Sequence, residues 1–379
     1  MSTLLQDNES FVLRAIKETA FEQRAIPELK PHEVLVTVKK TGICGSDVHY
    51  LLHGRIGDFI VKKPMVLGHE SAGVIAQVGS AVKHLKVGQR VAMEPGATCR
   101  VCDACKAGQY ELCPDIEFAA TPPYDGTLGR YYCLPADLAY PLPENLSLED
   151  GAMMEPLSVA VHSLVSIGKI RTNQTVVIFG AGPVGLLCLA VAKAFGAKRI
   201  IAVDIIQSRL DFAKNYAATD VYLPIKPNAG EANIDYSRRN AEEMKRVLGL
   251  ADRGAAGVDI VLDASGAEVS IQTGIFLVKE GGTFVQVGMG KAEVLIPITL
   301  LLAKQVNFRG SFRYGAGDYP LAIELAAQGK VDLKPLVTHR FKFDEAVTAF
   351  EVTRSGKSED GKGVIKAIIS GPDVGLDEN

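Results

Sequence analysis

A six-residue turn, Gly180-Ala181-Gly182-Pro183-Val184-Gly185, constrains this chain more than any other stretch. It follows the apolar run 176–179 and opens a helical pattern, so a strand must turn tightly into a helix whose N-terminal amides can face a pyrophosphate. Asp204 ends the next apolar run, 200–203, about twenty residues on, where a carboxylate can accept hydrogen bonds from the hydroxyls of an adenosine ribose. A glycine-rich connection serving packing alone would leave Asp204 unexplained. Gly180, Gly182, Pro183, Val184, Gly185 and Asp204 are therefore expected to hold a dinucleotide. A 2′-phosphate would bring about two negative charges against Asp204, with only Ile205 and Ile206 beside it, which favours NAD over NADP. Arg209 is the one nearby cation that could swing toward the ribose, although its place inside the next helix favours solvent.

The rhythm around this turn extends it into a domain. Apolar runs at 176–179, 200–203, 221–223, 258–262 and 283–287 read as buried strands, with helical patterns at 183–195, 207–215, 238–248 and 267–278 between them. Such alternation makes a doubly wound α/β sheet. Before it, short β-type runs at 33–40, 73–78 and 90–93, separated by Gly and Pro, predict a β-rich domain. After 306–310 the chain returns to mixed short elements. The expected division is thus 1–160 with 311–379 as one domain and 161–310 as the other. The charged stretch 237–246 reads as a solvated helix face, and 371–379 as a loose acidic end.

Composition narrows the partners. The 379 residues carry a formal net charge of −3 and no block of like charge, so no electrostatic footprint for nucleic acid or an anionic membrane is present. Asp7 and Glu9 stand where a secretion signal would need a basic flank and an apolar run, and the longest apolar stretch, 176–196, is broken by Gly, Pro183 and Lys193. A cytoplasmic protein with small-molecule partners is expected.

Seven cysteines are too few for a disulfide scaffold in a chain this long, and four of them crowd between positions 99 and 113. Cys99, Cys102, Cys105 and Cys113 have the spacing C-x2-C-x2-C-x7-C, which lets four thiolates close a tetrahedral zinc shell. No position is left open for substrate, so a structural role is expected for a lobe at about 94–115. A second, dispersed set could give an open zinc site: Cys44 in Gly42-Ile43-Cys44-Gly45-Ser46-Asp47, His69 in Gly68-His69-Glu70, and Glu155 in Met154-Glu155-Pro156. On the residues alone, a buried apolar cysteine and a core histidine are equally good readings.

The run Gly68-His69-Glu70-Ser71-Ala72-Gly73, continuing to Gly79 and Val82, resembles the signature of the zinc-dependent medium-chain dehydrogenase/reductase family. The order of that run, the four-cysteine lobe and the dinucleotide unit also matches, over essentially the whole chain. The resemblance implies a GroES-like β-rich catalytic domain built from both chain ends and a Rossmann domain between them, with one catalytic and one structural zinc per chain. It implies that Cys44 and His69 bind the catalytic zinc, with Glu70 as third ligand in the polyol dehydrogenase branch and Glu155 holding or exchanging with the water there. Simple alkanol dehydrogenases resemble the chain less, because they carry a second cysteine where Glu155 stands. Ser46 and His49 match the family's proton relay of hydroxyl, cofactor ribose and imidazole.

Phe312-Arg313-Tyr314 resembles the substrate loop of sorbitol and xylitol dehydrogenases, as do Tyr50 and the stretch containing Phe118. A guanidinium and phenols suit a polyhydroxylated chain, since every buried substrate hydroxyl needs a partner. The resemblance implies oxidation of a secondary hydroxyl of a polyol, xylitol before L-arabinitol or sorbitol, in a homotetramer or homodimer. The rival from another class is a zinc- and nucleotide-binding protein without turnover, against which Cys44, Ser46, His49, His69, Glu70 and Glu155 all stand.

Overall fold

The computed structural model describes residues 7–376. Two compact units divide the chain, Met1–Glu155 with Asp332–Asn379, and Pro156–Val331.

The first unit is built on a seven-stranded sheet. Its strands run in the order Ala139–Pro141, Arg90–Met93, Glu70–Val78, Glu33–Gly42, Lys366–Ser370 and Val337–Phe341, with Tyr131–Pro135 also paired to Glu33–Gly42. Alternation explains the central strand: Val34, Val36 and Val38 point into a cluster with Ile75, Val91 and Met93. Two register shifts against Glu70–Val78 bend Glu33–Gly42, so that Gly42 pairs with Glu70 on one side and Ile368 on the other. The chain then turns at Cys44 into the helix Gly45–His53. One end of this sheet thus gathers Cys44, Glu70 and Lys366 from three distant segments.

The second unit is a six-stranded parallel sheet in the order Asp220–Tyr222, Arg199–Val203, Thr175–Phe179, Val258–Asp263, Val278–Gln286 and Asn307–Gly310. The helices Pro183–Ala194, Gln207–Tyr216, Asn233–Leu248 and Glu268–Leu277 connect its strands. This is the doubly wound order whose switch point lies between Thr175–Phe179 and Val258–Asp263.

Three expectations change. Residues 156–160 and 311–331, assigned from sequence to the β-rich domain, cluster with the dinucleotide unit; Ser311 bonds Gln286 through its backbone, and Asp318 bonds His162 and Ser166. The segment 237–246 belongs to a longer helix, Asn233–Leu248, whose Ser237, Asn240, Ala241 and Met244 are buried, so only part of it faces solvent. The end expected to be loose is tied down as far as it is described. Buried Lys40 donates to the carbonyls of Gly375 (3.4 Å) and Leu376 (3.0 Å), while residues 377–379 lie outside the described residues. Among the described residues no helix is long and apolar enough to cross a membrane.

Candidate functional site

The dinucleotide turn has the geometry its sequence demands. Gly180 takes φ +92°, and a Cβ on Gly185 would lie 1.8 Å from the Gly180 carbonyl oxygen, so neither position accepts a side chain without moving the backbone. Gly182 caps the helix and has open space around it, with Pro183 in its first turn and Val184 following. Asp204 is nearly buried and ties this turn together, accepting from the Ala181 amide (2.8 Å) through one oxygen and from the Ile206 amide (2.9 Å) through the other. Arg209 is about half-buried, its guanidinium 3.9 Å from Asp204. Sequence reasoning missed Asp263, buried at the end of the neighbouring strand. It accepts from Ser265 Oγ (2.6 Å), the Gly266 amide (2.8 Å) and Gln286 Nε2 (2.7 Å), and burial holds its carboxyl above the usual range despite those donors.

The four cysteines of the lobe converge, their sulfurs all within 4.8 Å of one another. Cys99 and Cys105 Sγ are 4.0 Å apart, against about 3.8 Å for two sulfurs on one tetrahedral zinc at the usual bond length. Backbone amides of Cys99 and Cys102 already point at Cys113 Sγ (3.4 Å) and Cys99 Sγ (3.3 Å). Amides of Val101 and Cys102 pull the Cys99 thiol down to about 7. At Cys102 the Cys105 amide is outweighed by burial and the neighbouring sulfurs, which push that thiol up to about 11, and burial raises Cys113, so a metal here would displace protons. All seven cysteines are free thiols. The lobe is anchored by Tyr110, which donates to Glu94 (2.6 Å); Tyr140 donates to the other oxygen of that buried carboxylate (2.8 Å).

The second set also converges. One ligand atom each from Cys44, His69 and Glu70 lies within the same 4.8 Å limit; Glu155 is not in that group, although its charge is felt at Lys366. Two residues that sequence reasoning missed hold the set. Asp47 is almost fully buried, accepts from the Gly68 amide (3.0 Å), and stands 3.4 Å from His69 Nδ1, which leaves Nε2 for a metal. Burial opposes a charge on His69, but Asp47 and Cys44 outweigh it and raise the imidazole well above its ordinary value. A metal ion would have to displace that proton.

Lys366 is the other. Its ammonium meets both oxygens of Glu70 at 2.7 and 2.6 Å and the Ile43 carbonyl at 3.1 Å, and both side chains are at most 3% exposed. Burial works against the ammonium, yet Glu70, Cys44 and Glu155 raise its pKa. Gly42 is required beside it, because a Cβ there would come within 2.3 Å of Glu70 Oε2. The donor set of one thiol, one imidazole and one carboxylate fits a zinc site with a position left over.

The remaining expected residues are distributed. Ser46, His49 and His53 lie along one side of the helix Gly45–His53, with the His49 and His53 rings 4.6 Å apart. Partial burial, then His53, lower the His49 pKa below 6.5. Phe118 is buried with its ring 5.9 Å from that of His69. Tyr50 is 4% exposed and belongs to the core cluster that includes Met65, Leu67 and Phe350. In the other unit, Arg313 takes φ +54° with its guanidinium over the Phe312 ring, and Tyr314 is buried edge-on to Tyr319.

A β-rich unit carrying two convergent metal-ligand sets and a doubly wound unit carrying a dinucleotide turn define a zinc-binding dehydrogenase, and the chain belongs to that family. The family model for the alcohol dehydrogenase GroES-like domain matches residues 30–144, and that for zinc-binding dehydrogenases matches residues 183–328. Among curated proteins the chain is similar to a probable D-xylulose reductase A of Neosartorya fischeri, 56% identical over 371 residues and 98% of each chain. The D-xylulose reductase A of Aspergillus niger is 56% identical over 367 residues, 97% of each chain. An alcohol dehydrogenase of Escherichia coli CFT073, solved with its cofactor NADH, superimposes with a TM-score of 0.84 at 26% identity, covering 96% of this chain and all of that one.

Proposed function

We propose that the protein oxidises a secondary hydroxyl of xylitol to the ketose, D-xylulose, with NAD, and reduces the ketose in the reverse direction. The observation that carries this reading is the Cys44, His69 and Glu70 cluster in a chain 56% identical over nearly its whole length to D-xylulose reductases. Bound at these sites, zinc would supply the positive charge that makes the substrate hydroxyl acidic, and NAD the hydride acceptor.

The chain's own residues divide the remaining work. Asp47 fixes the orientation of His69, and Lys366 holds Glu70 in place. Ser46 accepts the hydroxyl proton as it gives up its own, and His49, exposed on the same helix face with its pKa lowered, takes up the released proton and passes it to water. Arg313 and Tyr314 offer donors to the substrate's other hydroxyls, and Phe118 excludes water beside His69. Asp204 disfavours the 2′-phosphate of NADP. We place the protein in the cytoplasm as a homo-oligomer, and one structural zinc in the four-cysteine lobe.

The test is the initial rate of NAD reduction on xylitol, L-arabinitol, D-sorbitol and ethanol at equal concentration. Xylitol should lead and ethanol remain near background. If L-arabinitol or sorbitol leads, the substrate assignment fails while the chemistry stands, and silence on every alcohol in zinc-replete protein would remove the enzyme reading.

A further inference from the structure

We infer that Ser163, at one end, and His162, Ser166 and Asp318, at the other, are positioning residues that set polyol specificity by clamping the loop 312–317. The inference rests on the proposed role of Arg313 and Tyr314 as substrate contacts.

The helix that begins at Met154 does not continue as an α-helix. From His162 to Ile167 it is a π-helix, in which the Gly168 amide bonds the Ser163 carbonyl five residues back at 2.9 Å. Such segments are rare and recur at functional sites, because they re-aim side chains that a regular helix would place elsewhere. Here three of the re-aimed side chains reach the same loop. Ser163 Oγ lies 3.0 Å from Ser311 Oγ, just before the loop. His162 Nδ1 lies 2.6 Å from one oxygen of Asp318, just after it, and Ser166 Oγ donates to the other oxygen at 2.6 Å. A carboxylate in this setting only accepts, so His162 carries its proton on Nδ1.

Asp318 turns this grip inward. The oxygen that meets His162 also accepts from the Gly315 amide at 2.8 Å, and the Asp318 amide donates to the Gly315 carbonyl at 3.2 Å. His162 and Asp318 are 4% and 3% exposed, so these charge-assisted bonds form away from water, where they are strongest. Between the two anchors Arg313 holds a left-handed backbone at φ +54°, a conformation an arginine adopts only when its surroundings impose it. An unanchored loop would relax toward ordinary φ and swing the guanidinium away from its present direction. The bonds named here all run to the flanks and the backbone of the loop, which is where the network acts.

The experiment compares Asp318→Ala, His162→Leu, His162→Asn and Ser166→Ala in full-length, zinc-replete protein. Asp318→Ala and His162→Leu should raise the KM for xylitol about tenfold or more, with the KM for NAD and the rate on a short secondary alcohol within about twofold. His162→Asn, which offers an amide donor near the position of Nδ1, should restore most of the xylitol KM, a rescue that a merely structural histidine would not show. In an Arg313→Ala background, Asp318→Ala should add little further loss. Amide exchange of residues 312–317 should accelerate in both strong variants. An unchanged xylitol KM with unchanged exchange would overturn the inference, as would losses that add fully to Arg313→Ala. Should Asp318→Ala fail to fold, Ser166→Ala keeps the other anchors and must still raise the KM and the loop exchange. A wild-type protein inactive on every polyol would sink the functional reading instead, and the exchange measurement would still decide whether the network holds the loop.

Discussion

Replacing Lys366 by Met removes one half of an ion pair from a place where water cannot substitute for it. Glu70 would be left at 1% exposure, beside the Cys44 thiol and without the two contacts of 2.6 and 2.7 Å that satisfy it. Removing one partner of a buried pair costs about 3–5 kcal/mol, because the survivor is left buried and unpaired. In a unit of roughly 200 residues each kcal/mol moves the melting point by about 2–4 °C, so metal-free Lys366→Met should melt about 6–20 °C below the metal-free parent. The assay is thermal unfolding followed by calorimetry in chelator, then repeated with zinc. Zinc should narrow the gap, since a dication bound at Cys44, His69 and Glu70 takes over as the carboxylate's partner. A Lys366→Met, Glu70→Met double variant should recover at least half of the loss, because it buries no charge at all. If the single variant melts within about 2 °C of the parent, or the double variant is no more stable than the single, the argument from burial is refuted.

Other outcomes follow from the same contacts. Replacing Cys102 by Ser should lower zinc content from two ions to one per chain and open the lobe to limited proteolysis between 99 and 113, with metal analysis and digestion as the readouts. His49 must be neutral to accept a proton, and its pKa lies below 6.5, so the acidic limb of kcat/KM should fall below pH 6.5. His53→Ala removes a neighbouring charge and should shift that limb upward, whereas His49→Gln should abolish it and slow polyol oxidation about a hundredfold. Asp204→Ser should lower kcat/KM for NAD about tenfold and raise it for NADP, measured by titrating each cofactor, since it removes both the ribose acceptor and the charge opposing the 2′-phosphate.

Sequence reasoning reaches furthest where chemistry is contiguous. The glycine turn and the cysteine lobe each declare themselves within a single stretch, because backbone conformation and tetrahedral closure both act locally. Cys44, His69 and Glu70 were legible through the resemblance of the surrounding run. Their supports were not. Asp47 stands in the first turn of the helix after Cys44, where an acid reads as an ordinary helix-start residue; its bond to the Gly68 amide exists only once two segments meet. Lys366 is separated from Glu70 by 296 residues and begins a strand in which a lysine reads as a surface charge. The π-helix at His162 left no periodic signal, since six residues are too few to distinguish one helical period from another. The placement of 311–331 failed for a related reason. The anchors that join Ser311 and Asp318 to Ser163, His162 and Ser166 are side-chain bonds across about 150 residues of chain.

The most direct test of a zinc- and NAD-dependent polyol dehydrogenase is to follow xylitol oxidation and zinc content together as metal is removed and restored. The account predicts two zinc ions per chain in the native protein, loss of xylitol-dependent NAD reduction when the ion at Cys44, His69 and Glu70 leaves, and recovery when zinc returns. Full turnover in protein stripped of both ions would contradict it.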